Sequence, residues 1–253
     1  MRLVDLSAPI RQSPPETPAP FRTDIEFSGH AEGAAQIEAM LGVPARLLRD
    51  GEGWATETFT RFGTHNSTHV DAPWHYNSRI GGAPAATIDE LPLEWFFGPG
   101  VVLDMTAKQD GEQVDVADVE AELNRIGHVL GERDIVLVRT GRDARLEDAA
   151  YVALGPSMTQ TATRWLYEHG VRVMGIDAWG WDGPLHRQSH DALERDEPGI
   201  FWAAHQADLP YSQIERLANL AELPPSGFQV ACFPLPIVGA SAAPARVVAL
   251  LPE

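Results

Sequence analysis

Residues 134–141 have the sequence DIVLVRTG, a nearly unbroken apolar run that ends in a glycine turn. Such a run, rich in valine, isoleucine and leucine, is typical of a strand buried on both faces of a sheet. Downstream, residues 159–177 have the spacing of a helix that ends at Gly170 and is followed by a strand over residues 171–177. This strand–helix–strand order predicts an α/β fold around a central sheet.

The remaining elements do not alternate in the regular way of a doubly wound sheet, so we expect a mixed α/β single domain over residues 1–253. Helices are predicted from Gly33 to Leu41, ending at Gly42, and over residues 115–127, with Asp115 or Asp118 as the cap. Further strands are predicted in runs of alternating or apolar character, at residues 2–6, 54–62, 98–105, 228–239 and 244–251. The prolines at 14, 15, 18 and 20 predict an irregular arm over residues 10–22. Residues 179–199, rich in Gly, Pro, His and charges, are predicted to form a long functional loop.

The composition excludes several classes of partner. The chain has 36 Asp and Glu against 19 Lys and Arg, a formal net charge of -17. Nucleic-acid binders and proteins of anionic membrane surfaces need clustered cations, so we expect a small-molecule partner instead. No apolar run approaches the roughly 18 residues of a membrane span, and the N-terminus lacks a signal-like core, which predicts a cytoplasmic protein. The single cysteine, Cys232, excludes an intrachain disulfide and is expected to be a core residue.

Residues 62–76, FGTHNSTHVDAPWHY, place three histidines and one aspartate within eleven residues: His65, His69, Asp71 and His75. Imidazole and carboxylate donors together suit zinc, manganese or iron. An extended backbone would put His69 and Asp71 on one face, and Pro73 disfavours a continuous helix. The alternative is a histidine-rich surface loop. With nine histidines in the whole chain, three in such a window favour a metal site.

The segment resembles the H-x-G-T-H-x-D-x-P-x-H signature of the cyclase family, which includes bacterial kynurenine formamidases and isatin hydrolases. Ser67 stands where the family usually has glycine. Residues 175–182, GIDAWGWD, resemble its G-x-D-x-x-S-x-D segment, with Gly180 in place of serine. Residues 214–224, IERLANLAELP, resemble its I-E-N-L-x-x-L-x-x-L-P run, and residues 233–250 are similar to its C-terminal P-L-x-x-x-G-A-x-A-S-P-x-R-A-V signature. The similarity covers most of the chain from about residue 54.

The resemblance implies a mixed-sheet swivelling β/β/α fold and a homodimer or higher homo-oligomer. Separately, we expect the proline-rich arm over residues 10–22 to be an exchange element between subunits. The resemblance also implies site roles. His65, His69 and Asp71 match the family's first metal ligands, and His205 and Glu215 fall where further ligands are supplied. His75 matches the proton-transfer histidine. The implied cofactor is a divalent ion, zinc or manganese, with one or two ions per chain.

These roles describe a metal-dependent hydrolase of a non-peptide amide bond, in an aryl formamide or a cyclic amide. A metal ion activates water and polarises the carbonyl, and a histidine passes a proton to the departing nitrogen. The sequence contains no G-x-S-x-G nucleophile motif. Two alternatives stay open: a lyase or ring-closing dehydratase on the same metal site, and a metal-binding protein without catalytic activity.

Several other residues are candidates for the site. Four tryptophans lie around it in sequence and are predicted to contact an aromatic substrate, with core packing as the alternative: Trp74, Trp179, Trp181 and Trp202. Arg139 is a candidate for binding a substrate carboxylate, or else it pairs with an acid such as Asp177. We expect Asp177 to fix a turn or a histidine, and His186 and His190 to be exposed.

Overall fold

The computed structural model describes residues 1–252. The chain folds into two compact units. The larger unit comprises Met1–Pro9 and Ser67–Glu253, and the smaller unit comprises Ile10–Asn66. Whether the two units act as the single domain expected from the sequence stays a prediction.

The described residues form strands and helices that are interleaved along the chain. The strands are β1 (Arg2–Asp5), β2 (Asp24–Ser28), β3 (Thr56–Arg61), β4 (His69–Asp71), β5 (Arg79–Ile80), β6 (Ala83–Pro84), β7 (Phe97–Asp104), β8 (Gln113–Val114), β9 (Ile135–Arg139), β10 (Ser157–Met158), β11 (Val173–Ile176), β12 (Ser212–Glu215), β13 (Phe228–Ala231), β14 (Ala242–Pro244) and β15 (Val248–Leu251). The α-helices are α1 (His30–Leu41), α2 (Pro73–Tyr76), α3 (Val116–Ile126), α4 (Gln160–Glu168) and α5 (Leu185–Arg195).

Nine strands of the larger unit form one mixed sheet, in the order β1-β15-β13-β7-β9-β11-β12-β4-β14. The central pairs β7–β9, β9–β11 and β11–β12 are parallel. The pairs on both sides of them are antiparallel. The mixed α/β fold class predicted from the sequence is therefore confirmed.

Strand β9 is buried on both faces, as the apolar run predicts. Ile135 and Leu137 point into one hydrophobic cluster, with Ile214 and Phe228. Val136 and Val138 point into the other, with residues of α3 and α4. This alternation follows from the two-residue period of a strand. The side chains of β9 therefore contribute to an apolar layer on each face of the sheet.

The helix ends follow the predicted capping residues. Helix α1 ends at Gly42, which adopts the left-handed conformation with φ of 70°. Helix α3 uses both candidate caps, because Asp115 is the N-cap and Asp118 completes a capping box with it. Helix α1 begins three residues earlier than expected, since the spacing of apolar residues starts only at Gly33.

The prediction of a long loop over residues 179–199 is wrong, because α5 occupies Leu185–Arg195. The helix begins directly after Pro184, a position where proline is tolerated. It buries no residue, and only Leu185, Ala192 and Leu193 of its 11 residues are apolar, so the segment has the composition of a polar loop. Strand β14 was not predicted either.

In the smaller unit, β2 and β3 form an antiparallel pair. The proline-rich stretch over residues 10–22 contains no α-helix or strand, only a 3-10 turn at Ala19–Phe21. Gly33 of helix α1 packs directly against the backbone of Trp54, and a Cβ at this position would lie 1.8 Å from the Trp54 carbonyl oxygen. Glycine is therefore required at this contact.

Two simpler expectations can be compared with the structure. Among the described residues, no helix is long and apolar enough to cross a membrane. Cys232 is fully buried, and burial raises the pKa of its thiol. A buried thiol of this kind is a core residue and not a nucleophile.

Candidate metal centre and active site

Strand β4 carries the first part of the site. His69 and Asp71 lie on one face of this short strand, and Val70 between them points into the hydrophobic core. All three are fully buried. Strand β4 lies between β12 and β14, and its register places His69 directly opposite Glu215. Opposed residues of an antiparallel pair share a face, so the sheet itself brings the Glu215 side chain to the histidine and the aspartate.

The side chains of His69, Asp71 and Glu215 converge. His69 Nε2 lies 3.3 Å from Asp71 Oδ1 and 3.7 Å from Glu215 Oε2. One donor atom from each residue lies within 4.8 Å of the other two. His69 Nδ1 lies 2.9 Å from the Ser67 carbonyl oxygen. That contact assigns the ring proton to Nδ1, which leaves the lone pair on Nε2, facing the carboxylates.

Ser67 explains why the departure from the family signature is tolerated. Its φ of 59° is the left-handed conformation that glycine adopts easily. Its hydroxyl donates a hydrogen bond to the Ala8 carbonyl, 2.9 Å away, within the same unit. Ser67 therefore adopts and stabilises the turn that precedes His69.

His205 joins the group from a distant part of the sequence. Its Nε2 lies 3.6 Å from Glu215 Oε1, and its Nδ1 is hydrogen-bonded to Asp182. The Asp182 carboxylate also accepts hydrogen bonds from the backbone N–H groups of Ala204 and His205, at 2.6 and 3.0 Å. Burial alone lowers the pKa of His205, but the carboxylates of Asp182, Glu215 and Asp71 raise it to about 9. The imidazole is thus held among negative charges.

The donor set fits a divalent cation. Glu215 is buried beside Asp71, and burial together with that neighbouring carboxylate raises the pKa of Glu215. Two carboxylates close together in a buried site repel each other, and a cation between them removes that repulsion. Two imidazoles and two carboxylates are donors that zinc and manganese accept. The residues present therefore fit the metal that the sequence implies.

His75 lies beside this donor set. It belongs to the short helix α2, and its ring centroid is 5.8 Å from that of His205. Trp202 contacts both histidines. Its indole stacks on His205 at 4.7 Å with an interplanar angle of 8°, and it meets His75 edge to face at 4.9 Å. The half-buried His75 is therefore held by aromatic contacts near the carboxylates.

The predicted ligand His65 belongs to the smaller unit, two residues before the larger unit resumes at Ser67. The neighbouring Asn66 is buried in the smaller unit, and its side chain donates to Thr23 Oγ1 at 3.0 Å. The structure thus brings together His69, Asp71, His205 and Glu215, with His75 alongside. The role of His65 stays a prediction.

The other three tryptophans differ in their surroundings. Trp74 is 44% exposed. Trp179 is half-buried, and the guanidinium of Arg216 lies 3.6 Å over its ring. Trp181 is fully buried in the core, and its indole N–H donates to Thr163 Oγ1 at 2.8 Å. The ring of Trp181 therefore offers no open face to a substrate, in contrast to the prediction. Its backbone N–H instead donates to Glu215 Oε1 at 3.0 Å.

Other candidates lie away from the donor set. Arg139 pairs with Asp104, at 3.0 Å, and not with Asp177. Asp177 accepts hydrogen bonds from Thr140 and from the Gly141 N–H, so it fixes the turn after β9 as expected. His186 and His190 are exposed on α5.

Sequence reasoning missed two residues that the structure places at the site: Asp182 and Arg216. Asp182 had a signal, because it is the last residue of the GIDAWGWD segment. Arg216 had none, because its left-handed backbone, with φ of 59°, has no sequence signature.

Comparisons with known proteins agree with this geometry. The sequence model of the family described as "Putative cyclase" matches residues 4–183. A kynurenine formamidase from Salinibacter ruber is 31% identical over 190 residues, which cover 74% of this chain and 76% of the relative. An isatin hydrolase from Roseibium aggregatum is 30% identical over 212 residues, covering 76% of this chain and 73% of the relative.

A solved structure shares the fold along almost the whole chain. Isatin hydrolase A from Ralstonia solanacearum superposes with a TM-score of 0.72 at 25% identity, covering 99% of this chain and 92% of that one. The family match spans well over half of the chain and includes His69, Asp71 and His75. The chain therefore belongs to the cyclase family of metal-dependent hydrolases.

Proposed function

We propose that the protein hydrolyses the amide bond of an aryl formamide or a cyclic aryl amide, with a divalent zinc or manganese ion as cofactor. The observation that carries the proposal is the position of Glu215. Its two carboxylate oxygens lie 3.7 Å from His69 Nε2 and 3.6 Å from His205 Nε2. Three separate segments of the chain thus supply donors to one buried point.

His69, Asp71, Glu215 and His205 would hold the ion, and His65 is a proposed further ligand. When bound, a divalent ion there supplies Lewis acidity to a carbonyl oxygen and makes a water molecule more acidic. The protein side chains fix the direction of the imidazole lone pairs through Ser67 and Asp182.

His75 is the proposed proton carrier. Histidine is the side chain that takes up and releases a proton near neutral pH. The ring of His75 lies next to His205 and Trp202, and one of its nitrogens lies within 4.8 Å of an Asp71 carboxylate oxygen, so His75 borders the donor set. In this position it would protonate the departing nitrogen. Trp74 and Trp179, which are not fully buried, are the proposed contacts for an aromatic substrate.

The test is an assay of the protein loaded with zinc or with manganese, using N-formylkynurenine as the linear amide and isatin as the cyclic one. We expect hydrolysis of at least one of them. His75→Ala should lower kcat by about 100-fold or more while the metal content per chain is unchanged. Inertness of every metal form toward both amides would favour a binding protein. Conversion of substrate without uptake of water would favour the lyase.

The oligomeric state and the cellular location are also proposals. A homodimer or higher homo-oligomer follows from the sequence resemblance, whereas the exchange role of residues 10–22 and the cytoplasmic location are separate proposals. Sedimentation of the intact chain and of a variant lacking residues 10–22 tests the first part. A monomeric intact chain, or an unchanged oligomer after the deletion, would contradict it.

A further inference from the structure

Arg216 is a buried cation directly after the candidate ligand Glu215. Only 8% of the residue is exposed. Its backbone is held firmly, because its N–H donates to the Ala178 carbonyl at 3.1 Å and its own carbonyl accepts from Thr68 Oγ1 at 2.6 Å. The left-handed φ of 59° turns the chain at the end of β12. The position of the side chain is therefore set by the fold.

Within the described residues of the larger unit the guanidinium of Arg216 forms no direct salt bridge, although the carboxylates of Glu215 and Asp71 interact with it electrostatically. Its Nε is buried without a hydrogen bond. The guanidinium lies over the ring of Trp179. By contrast, Arg139 pairs with Asp104 and Arg142 with Asp110. Burying a charged group without hydrogen bonds is costly. A buried arginine of this kind is expected in a binding site, where the bound ligand supplies the hydrogen-bond acceptors that the protein lacks.

The stacking on Trp179 orients the Arg216 guanidinium so that it can bind an anion. A guanidinium that lies flat on an aromatic ring keeps its N–H groups in its own plane, where they match the two oxygens of a carboxylate. The Trp179 ring is itself supported by Tyr151, at 6.1 Å, whose hydroxyl donates to the Asp177 carbonyl. The Trp179 ring, which we call the platform under Arg216, is thus held in place by Tyr151.

This platform borders the donor set. Gly180, the next residue after Trp179, is half-buried, and a Cβ there would lie 3.4 Å from Glu215 Oε1. Gly180 therefore places the Trp179 platform next to the Glu215 carboxylate.

We propose that Arg216 is a specificity-determining residue that binds a carboxylate group of the substrate, so that the preferred substrates are aryl amides bearing a carboxylate. The inference rests on the proposed amide hydrolysis. Arg139 is the candidate for this task by sequence, but it already has the Asp104 carboxylate. Arg216 stands where the family run I-E-N-L has asparagine, so the specificity belongs to this chain.

The substitution Arg216→Asn tests the proposal, because asparagine tolerates a left-handed backbone better than most residues do. Binding of benzoate and of benzamide to the metal-loaded protein is measured by calorimetry, which needs no turnover. We expect Arg216→Asn to weaken benzoate by about 10-fold or more and to leave benzamide nearly unchanged. Arg216→Lys should keep part of the benzoate affinity, since it keeps the charge and loses the planar fork.

Arg139→Gln is the matched control and should leave both affinities unchanged. Equal benzoate affinity in the wild type and in Arg216→Asn would overturn the proposal, and so would an equal loss for benzoate and benzamide. Metal content and thermal midpoint, measured for each variant, identify a folding defect, in which case the lysine variant decides.

Kinetics with N-formylanthranilate and formanilide separate the two proposals. Hydrolysis of both at equal kcat/KM by wild type and variant would leave the amidase function standing and remove the role of Arg216. Benzoate binding that depends on Arg216, without hydrolysis of any amide, would support the role of Arg216 in binding carboxylates and contradict the proposed amidase function.

Discussion

The candidate site joins two regions of different construction. Strands β4 and β12 supply His69, Asp71 and Glu215 from a paired register inside a buried sheet. The segment from Leu185 to Ala207, which we call the excursion, supplies His205 from outside the sheet. Helix α5 of the excursion buries no residue, yet near its end the segment contains His205, which is only 3% exposed. The sheet fixes its ligands through the backbone ladder, whereas the excursion fixes its ligand through a few side-chain tethers.

The largest effect is expected in the sheet region. Glu215→Gln removes the carboxylate that both His69 and His205 approach, so the site loses a negative charge at its centre. We expect the metal affinity to fall by more than about 100-fold, the upper end of the effect of groups that only support ligands, and activity to fall with it. Metal analysis after dialysis measures the change. Glu222→Gln, at an exposed acid paired with Arg2, is the control and should retain the metal.

Full metal content in Glu215→Gln would mean that the donors of the site lie elsewhere than at β4 and β12. The comparison between the two regions would then lose its basis. Loss of metal with an unchanged thermal midpoint of the apo protein would show that the defect is confined to the site.

Asp182 is the tether that holds the excursion to the site. Its carboxylate accepts the N–H groups of Ala204 and His205 and binds the imidazole Nδ1. Asp182→Asn exchanges one acceptor oxygen for a donor and removes the charge that orients the ring. We expect metal affinity or activity to fall about 10- to 100-fold, as for other partners of metal-ligating histidines. Calorimetric titration of zinc into the apo variant gives the affinity.

Thr163→Val is a suitable control for Asp182→Asn, because it removes the hydrogen bond to the buried Trp181 ring without touching His205. A larger metal loss in Thr163→Val than in Asp182→Asn would place the support of the site in the core beside Trp181. The excursion would then be less dependent on its tether than its geometry indicates.

The two regions also differ in how far the sequence predicts them. His69 and Asp71 are two residues apart on a strand, so the period of an extended chain already places them on one face. Glu215 requires the pairing of β4 with β12, which no local pattern contains. It was predicted only because the IERLANL run resembles a family motif. The buried strand β9, by contrast, was evident from composition alone.

The excursion was mispredicted for a physical reason. Helix α5 is mostly polar and buries no residue, so its composition looks like that of a polar loop. The contacts of Trp202 with both histidines arise from a left-handed backbone at a large residue, which is uncommon and has no sequence signature. The same holds for Arg216. These features follow from tertiary structure, and they cluster at the site, where such backbone conformations are common.

The smallest effect is expected on the outer surface of the excursion. Leu193 on α5 is 83% exposed, so Leu193→Ser removes little buried apolar area. We expect the free energy of unfolding to change by no more than about 0.5 kcal/mol and the metal content to stay the same. Leu166→Ala, at a fully buried leucine of α4, is the contrasting variant and should cost about 2–5 kcal/mol. Denaturant unfolding measures both. A loss above about 1 kcal/mol in Leu193→Ser, dependent on protein concentration, would mean that a second copy of the chain covers α5. The excursion would then be held by an interface as well as by Asp182.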